Sequence, residues 1–222
     1  MLARPTALVP TMSPADPIQT TLLEGLATLG LDPACADPLR GYLDLLLRWN
    51  QTYNLTAIRD PLEMVSKHLL DSLSIATEFA DQRAVDIGAG AGLPGIPLAI
   101  ARPQLRVSLV ESAGKKARFM REAVRQLKLS ERVDVVEGRA EQLDRPGAYD
   151  LLTARALASL PQLLALGGHL LRPGGLLLAM KGKFPDDELA ALPPGYRLLD
   201  SRPLQVPGLA AERHLLRIEK SG

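Results

Sequence analysis

The chain has 222 residues and a formal net charge of +1, and its 46% apolar and 23% charged residues are ordinary for a globular protein, which excludes disorder throughout. Its single cysteine excludes an intrachain disulfide, argues against a cysteine-based zinc site and favours a reducing compartment. Because no apolar run reaches the roughly 18 residues of a membrane span and the first residues lack a signal-peptide pattern, we expect a cytoplasmic protein without a membrane partner.

Charge is unevenly divided along the chain. Residues 1–80 hold nine acidic and five basic side chains, whereas residues 81–222 hold 16 acidic and 21 basic ones. The basic excess favours an anionic partner for the second part of the chain, without by itself identifying that partner as nucleic acid.

The first part of the chain contains only helical patterns. Residues 1–17 are rich in Pro, Ala, Ser and Thr without periodicity, which predicts a disordered arm. Apolar side chains then recur at helical spacing over 18–30, 38–53 and 61–79, so residues 18–80 are predicted to form a small helical cap. We interpret His68 as a structural histidine hydrogen-bonded to Asp71 or Ser72, because a His-x-x-Asp pair offers too few ligands for a metal.

Residues 81–222 alternate between strand and helix patterns and form a second predicted domain. The strands are predicted at 84–87, 106–110, 132–136, 149–153 and 175–180, and the helices at 94–101, 113–128, 158–171 and 186–191. This alternation indicates an α/β fold with a parallel sheet covered by helices on both faces. Two further strands, near 196–201 and 212–219, have a connection too short for a crossover and are predicted to form an antiparallel hairpin at the sheet edge.

The first strand leads into a glycine-rich turn, Gly88 to Gly95, and then into a helix. Glycine allows positive φ and a close approach of the backbone to a ligand, so this stretch is typical of a nucleotide-type site. Its G-x-G-x-x-G spacing also fits a dinucleotide, but a pyrophosphate beside Asp86 would be repelled. S-adenosylmethionine, with an ammonium, a sulfonium and no phosphate, fits better. Glu111, at the end of the second strand, is expected to bind ribose hydroxyls of either ligand.

Basic residues follow three of the predicted parallel strands. In doubly wound sheets ligands lie beyond the carboxyl ends of the strands, where this chain places Gly138-Arg139-Ala140-Glu141, Ala154-Arg155-Ala156 and Lys181-Gly182-Lys183. The helix after Glu111 adds a basic stripe that begins at Lys115 and Lys116. A solvated helix face and a contact with a phosphate backbone both explain such a stripe, and both remain open.

Taken together, these motifs resemble those of one family. They are Trp49-Asn50 with Asn54-Leu55-Thr56, His68-x-x-Asp71-Ser72, Asp86-Ile87-Gly88 through Pro97, Glu111-Ser112 with Lys115-Lys116, Arg139-Ala140-Glu141, Arg155-Ala156 and Lys181-Gly182. The chain resembles the RsmG (GidB) family of bacterial methyltransferases, which methylate N7 of a guanine in 16S ribosomal RNA. The resemblance runs from about residue 20 to the C-terminus and agrees with the Rossmann-like sheet of class I methyltransferases.

The resemblance implies a set of site residues. Those expected to bind S-adenosylmethionine are Gly88, Gly90, Leu93, Glu111, Ala140, Glu141 and Arg155. Those expected to admit the RNA are His68, Lys115, Lys116, Lys181 and Lys183. Arg155 is also the one candidate for positioning the reactants, and no metal is expected. We further expect a monomer that acts on 16S ribosomal RNA or the 30S subunit.

The chemistry of guanine N7 explains why no base is needed. N7 has a free lone pair and loses no proton on methylation, so positioning, worth about 7–11 kcal/mol in favourable cases, should supply most of the catalysis. Methylation of cytosine C5 would require a nucleophilic cysteine near the site, and Cys35 is far from it in sequence. Methylation of an exocyclic amine would require an acidic or Asn residue before Pro-Pro-aromatic, where this chain has Thr153-Ala154-Arg155-Ala156.

Three other functions fit parts of the pattern. They are a class I methyltransferase for a small molecule or a protein, a ribosome-assembly factor that binds the cofactor without turnover, and an NAD-dependent dehydrogenase. The sequence leaves open whether naked RNA, the 30S particle or an assembly intermediate would be the substrate.

Overall fold

A computed structural model describes residues 16–155 and 158–222. Helix α1 (Pro17–Thr28) begins where it does because the Asp16 carboxylate accepts a hydrogen bond from the Ile18 N–H and proline occupies the first helical position. Residues 1–15 of the predicted arm lie outside the described residues. Asp16 and Pro17, which were also predicted to belong to the arm, are instead the N-cap and the first residue of α1. Helix α2 (Ala36–Tyr53) follows a short 3₁₀ turn, Pro33–Cys35.

The third predicted helix, 61–79, is broken into pieces. Helix α3 (Pro61–Met64) continues into a π-helical segment (Val65–Leu70), then into helix α4 (Asp71–Leu73) and a 3₁₀ turn (Ala76–Glu78). The prediction of one regular helix was therefore wrong. π-Helical turns are frequent at functional sites, and this one carries contacts to a distant strand that apolar periodicity cannot reveal.

The rest of the chain forms one mixed sheet with flanking helices. In chain order its elements are β1 (Arg83–Ile87), α5 (Gly95–Ala101), β2 (Arg106–Glu111), α6 (Gly114–Gln126), β3 (Val133–Glu137), β4 (Tyr149–Arg155), α7 (Leu160–Gly167), β5 (Leu171–Lys181), α8 (Asp186–Ala190), β6 (Tyr196–Pro203) and β7 (His214–Lys220). Within the sheet, the seven strands lie in the order β3-β2-β1-β4-β5-β7-β6. Strands β1 to β5 pair in parallel, and β7 pairs antiparallel with both β5 and β6. The predicted α/β class and edge hairpin are confirmed.

Helix α7 ends earlier than the sequence predicts, and β5 begins earlier. The chain passes from α7 through a 3₁₀ turn, Gly168–Leu170, directly into β5 at Leu171. Two glycines allow this close passage over the sheet, since a Cβ on Gly167 would lie 2.5 Å from the Leu152 side chain and one on Gly168 would lie 2.2 Å from the Tyr196 hydroxyl.

The helical cap packs on one face of the sheet and shares its hydrophobic core with α5 and α6. Tyr42 of α2 is fully buried, lies 6.2 Å from the Phe119 ring between centroids, and donates a 2.7 Å hydrogen bond to the Ala91 carbonyl in the glycine turn. A second cluster around α7 covers the opposite face. The cap therefore holds the glycine turn directly, through its own buried side chains.

Candidate active site

A cavity of about 1000 Å³ lies at the carboxyl ends of the parallel strands, beneath the helical cap. Ten residues predicted to belong to the site line it: His68, Gly88, Gly90, Leu93, Glu111, Lys116, Ala140, Glu141, Arg155 and Lys181. Lys115 and Lys183, also predicted, are exposed and lie outside the lining. We call the wall formed by Gly88, Gly90, Glu111, Ala140 and Glu141 the cofactor half, and the wall formed by Thr56, His68, Asp71, Arg155 and Arg213 the acceptor half.

The glycine turn in the cofactor half is held by a carboxylate. Gly88 and Gly90 have φ values of +63° and +61°, a left-handed conformation that favours glycine. The Glu111 carboxylate, 7% exposed, accepts hydrogen bonds from the N–H groups of Gly90 at 3.0 Å and Ala113 at 2.8 Å. Each carboxylate oxygen has a second lone pair, so Glu111 can fix the turn and still accept hydroxyl groups of a ligand.

Asp86 lies beneath the turn and does not line the cavity. One of its oxygens accepts a 2.9 Å hydrogen bond from the Gly95 N–H, and the other has no partner among the described residues. Complete burial raises the pKa of Asp86 to about 7, against the lowering effects of the Gly95 hydrogen bond and Arg155. The expectation that a pyrophosphate would lie beside Asp86 was therefore wrong, because the acids on the cavity wall are Asp71, Glu111 and Glu141.

Residues after β3 complete the cofactor half. Ala140 and Glu141 begin a 3₁₀ turn, Ala140–Gln142, and the Gly138 N–H before it donates to the Glu111 carbonyl at 3.0 Å. The first N–H groups of a helical turn have no acceptor within that turn. The N–H groups of Ala140 and Glu141 would therefore be available to a ligand bound in this half.

A buried ion triad forms the centre of the acceptor half. Asp71, 2% exposed, accepts hydrogen bonds from Arg155 and Arg213, each at 3.0 Å and each to a different carboxylate oxygen. Arg155 also donates to the Lys67 carbonyl at 2.8 Å. Arg213 was missed by the sequence prediction. Its position could have been found, because β7 runs antiparallel to β5 and the residues just before β7 must lie at the rim where β5 ends.

His68 has different partners from those predicted. Its Nε2 lies 2.8 Å from the Thr56 hydroxyl and its Nδ1 lies 3.3 Å from the Arg155 guanidinium. Ser72 donates only to the His68 carbonyl, and Asp71 binds the two arginines, so the predicted pairing of the ring was wrong. Burial, with a further contribution from Arg155, lowers the pKa of His68 to about 4, so the ring is neutral at pH 7.

The two predicted lysines at the end of β5, Lys181 and Lys183, lie in different surroundings. The Lys181 ammonium donates to the Glu188 carboxylate at 2.8 Å and to the Ala158 carbonyl at 2.9 Å, which ties it to helix α8. Lys183 is exposed.

Phe184, next to Lys183, packs edge-on against the His214 ring with 5.8 Å between centroids and is 38% exposed. Ala156, in the predicted Arg155-Ala156 motif, lies outside the described residues.

Comparisons with known proteins agree with this architecture. The family model for rRNA small subunit methyltransferase G, GidB, matches residues 36–216. The chain belongs to this family. It is 60% identical over 206 residues to ribosomal RNA small subunit methyltransferase G of Xanthomonas euvesicatoria pv. vesicatoria (strain 85-10), covering 93% of this chain and 97% of that one. It is 61% identical over 201 residues to the protein of the same name from Stenotrophomonas maltophilia (strain K279a), covering 90% and 94%.

Solved structures resemble the fold at much lower identity. A SAM-dependent methyltransferase from Aquifex aeolicus superposes with a TM-score of 0.56 at 17% identity, over 75% of this chain and 97% of that one. The TYW2 protein of M. jannaschii, solved in complex with AdoMet, gives 0.55 at 17% identity, over 68% and 74%. These likenesses concern the fold alone.

Family membership confirms several predictions made from the sequence. The chain is a methyltransferase of the GidB family, and its cofactor is S-adenosylmethionine. The alternative of an NAD-dependent dehydrogenase is thereby excluded.

Within residues 16–155 and 158–222, no three His, Cys, Asp or Glu side chains group so as to hold a metal ion. In the same part of the chain, none of the helices combines the length and the apolar character that crossing a membrane requires.

Proposed function

We propose that this protein transfers the methyl group of S-adenosylmethionine to N7 of a guanine in the 16S ribosomal RNA of the small subunit. The observation that carries the proposal is the division of the cavity into a half that contains the glycine turn with Glu111 and Glu141 and a half whose one carboxylate, Asp71, is held between Arg155 and Arg213. Such a cavity orients two molecules without offering an ionised base to the acceptor.

The cofactor half fits S-adenosylmethionine. Glu111 would accept the ribose hydroxyls, and the positive φ of Gly88 and Gly90 lets the backbone approach the ligand without a Cβ in between. Ala140, Glu141 and Leu93 would close the same half, which they line. When bound, the cofactor supplies an electrophilic methyl group on a sulfonium.

The acceptor half suits a base that reacts without losing a proton. Arg155 is held by Asp71 and the Lys67 carbonyl, and the neutral His68 ring is held by Thr56 and Arg155. In this proposal these side chains shape the pocket and hold the guanine with N7 in line with the methyl group, so Arg155 is a positioning residue. A donor hydrogen-bonded to N7 would block the attacking lone pair, and the three hydrogen bonds of Arg155 go to Lys67, Asp71 and His68.

The rim would admit the RNA backbone. In this proposal Lys115 and Lys116 of α6, together with Lys181 and Lys183 at the end of β5, contact phosphates around the cavity mouth, as the basic excess of residues 81–222 favours. The protein would act as a monomer in the cytoplasm, where ribosomes are assembled. The cap (18–80) and the catalytic domain (81–222) would work as one unit, because the cap supplies His68 and Asp71 to the site.

The test is incubation with methyl-labelled S-adenosylmethionine and 30S subunits that lack the modification, in parallel with naked 16S RNA, followed by nucleoside analysis. Label in 7-methylguanosine is the expected result, and the better of the two substrates identifies the form of RNA that the enzyme uses. Label in another nucleoside would refute the assignment to N7. Cofactor binding without any label in RNA would instead favour an assembly factor or a methyltransferase with a different acceptor.

A further inference from the structure

A second cavity, of about 430 Å³, lies at the opposite end of the sheet from the active site. Its wall includes the first residues of β1, β2, β3 and β4, namely Arg83, Arg106, Val133 and Tyr149. Four arginines line it: Arg83, Arg106, Arg132 and Arg145. We call this cavity the arginine pocket. Nothing in the methyl-transfer reaction uses it.

The positive charge of the arginine pocket is only partly compensated. Two acids line it, Glu131 and Asp134, and Asp134 is already paired with Arg145 at 2.9 Å. Within residues 16–155 and 158–222, no carboxylate forms an ion pair with Arg83, Arg106 or Arg132. The nearby Asp150 accepts the Arg83 backbone N–H and is paired with Arg172 at 2.6 Å.

Arg83 and Arg106 stand side by side. They are register partners at the start of the parallel pair β1 and β2, where neighbouring strands lie about 4.8 Å apart and paired side chains share one face. Like charges in this arrangement repel each other. Exposed arginines commonly lie on a solvated surface, but two unpaired ones beside each other at the mouth of a cavity suit a shared anion.

The floor of the arginine pocket is polar and ordered. The Tyr149 hydroxyl, on a side chain 2% exposed, donates to the Ser108 hydroxyl at 2.8 Å, and Arg145 donates to both hydroxyls and to Asp134. Arg132 is held by the carbonyls of Arg102 and Leu105 at 3.3 and 3.5 Å. Its two carbonyl partners leave further N–H groups of Arg132 free, because a guanidinium has five N–H donors.

We propose that the arginine pocket binds a phosphate group of the RNA substrate, as an anchor at the end of the sheet opposite the active site. Guanidinium groups match phosphate oxygens in charge and in geometry. The two ends of the sheet are separated by strands of five to seven residues, or about 20 Å, and a folded ribosomal RNA can contact both. This inference rests on the proposed function, which supplies an anionic macromolecule as substrate.

The test compares two double variants of equal charge. Arg83→Ala with Arg106→Ala removes the two unpaired arginines, and Arg197→Ala with Arg202→Ala removes two exposed arginines from the β6 edge. Affinity for 16S RNA is measured by filter binding between about 50 and 200 mM salt, where each lost phosphate contact lowers the slope of log affinity against log salt by roughly 0.7–0.9. We expect the first double variant to bind RNA about tenfold more weakly, with a slope smaller by about 0.7–0.9, the loss of one phosphate contact. The matched control should keep the wild-type slope, and both should bind S-adenosylmethionine normally.

Equal RNA affinities and slopes for the two double variants would overturn the proposal. A small phosphorylated molecule is the other source of the same chemistry. Inorganic phosphate that raises the melting temperature of the wild type but not of the Arg83→Ala, Arg106→Ala variant, with RNA binding equal to the control, would assign the pocket to that source and overturn the RNA anchor. Because RNA binding is measured directly, failure of the wild type to methylate RNA refutes the proposed function separately.

Discussion

The two halves of the active-site cavity are built in different ways. In the cofactor half and directly beneath it, carboxylates hold backbone N–H groups that are near in sequence: Glu111 binds Gly90, 21 residues away, and the buried Asp86 binds Gly95, nine residues away. In the acceptor half, side chains from distant segments hold one another: Arg155 and Arg213 reach Asp71 across 84 and 142 residues. Backbone geometry therefore determines the first half, whereas ion pairs between distant side chains determine the second.

This difference indicates which substitutions each half tolerates. A turn fixed through backbone N–H groups is sensitive to changes in glycine, because a side chain alters the conformation or occupies the ligand's space. A triad of ionised side chains is sensitive to changes in charge, because removal of one member leaves the others buried without a partner. The two halves should therefore fail separately, and four substitutions test this.

The largest effect is expected for Gly88→Asp in the cofactor half. The residue has φ +63° and lines the cavity near Glu111, so an aspartate there adds bulk and a second negative charge against the ligand. We expect affinity for S-adenosylmethionine, measured by calorimetry, to fall at least 100-fold. Gly30→Asp is the matched control, since Gly30 has φ +65° with nothing within 4 Å of its Cβ position. Normal binding by the Gly88 variant would contradict the placement of the cofactor.

The next effect is expected for Asp71→Asn in the acceptor half. Loss of the carboxylate leaves Arg155 and Arg213 without their shared counter-charge, which should lower the free energy of unfolding by roughly 2–4 kcal/mol and lower the rate of methyl transfer. Urea denaturation and single-turnover kinetics measure the two effects. The affinity for S-adenosylmethionine should stay within a few-fold of wild type, and a larger change would show that the two halves are coupled.

Asp200→Asn provides the control for this charge change. Asp200 pairs with Arg217 at 3.0 Å, but its side chain is 48% exposed, so the free energy of unfolding should change by less than about 1 kcal/mol.

Asp86→Asn tests the buried acid beneath the turn through its pH dependence. With a pKa raised from 3.8 to about 7, folded Asp86 keeps a proton between about pH 4 and 7 that the unfolded chain has lost. Its contribution to stability therefore falls as the pH rises through this window and levels off above about 7. The free energy of unfolding of Asp86→Asn relative to wild type should rise over the same window by on the order of 1 kcal/mol per pH unit.

Urea denaturation at pH 5, 6, 7 and 8 measures this difference. His68 has an opposite dependence, since its pKa is lowered to about 4, but it is present in both proteins and its contribution cancels. A difference that is constant with pH would show that Asp86 is ionised throughout, balanced by Arg155.

The smallest effect is expected for Glu188→Gln, which belongs to neither half. Glu188 holds the Lys181 ammonium at 2.8 Å over seven residues, and the two side chains are 30% and 16% exposed. Its loss should lower the free energy of unfolding by about 0.5–1 kcal/mol and leave the affinity for S-adenosylmethionine unchanged. Glu63→Gln, which breaks the more exposed pair with Lys67, should lower the free energy of unfolding by a smaller amount. A large loss of cofactor affinity in the Glu188 variant would mean that Lys181 belongs to the cofactor half.

The sequence by itself determined the α/β fold and the position of the cofactor half. Strand and helix periodicity, the spacing of the glycines and the acid after the second strand are all local patterns, and the carboxyl ends of parallel strands must meet at one edge. For that reason Gly88, Glu111, Ala140 and Arg155 were predicted to lie together, and they line one cavity.

Only the tertiary structure decided the partners of individual charges. From the sequence, His68 was paired with Asp71 or Ser72, yet Asp71 binds Arg155 and Arg213, which reach it through the sheet topology. Asp86 was placed beside the ligand because it precedes the glycines, yet it is buried beneath them. A charged side chain is stabilised by whichever opposite charge the fold brings within hydrogen-bond distance, and separation along the chain does not encode that distance.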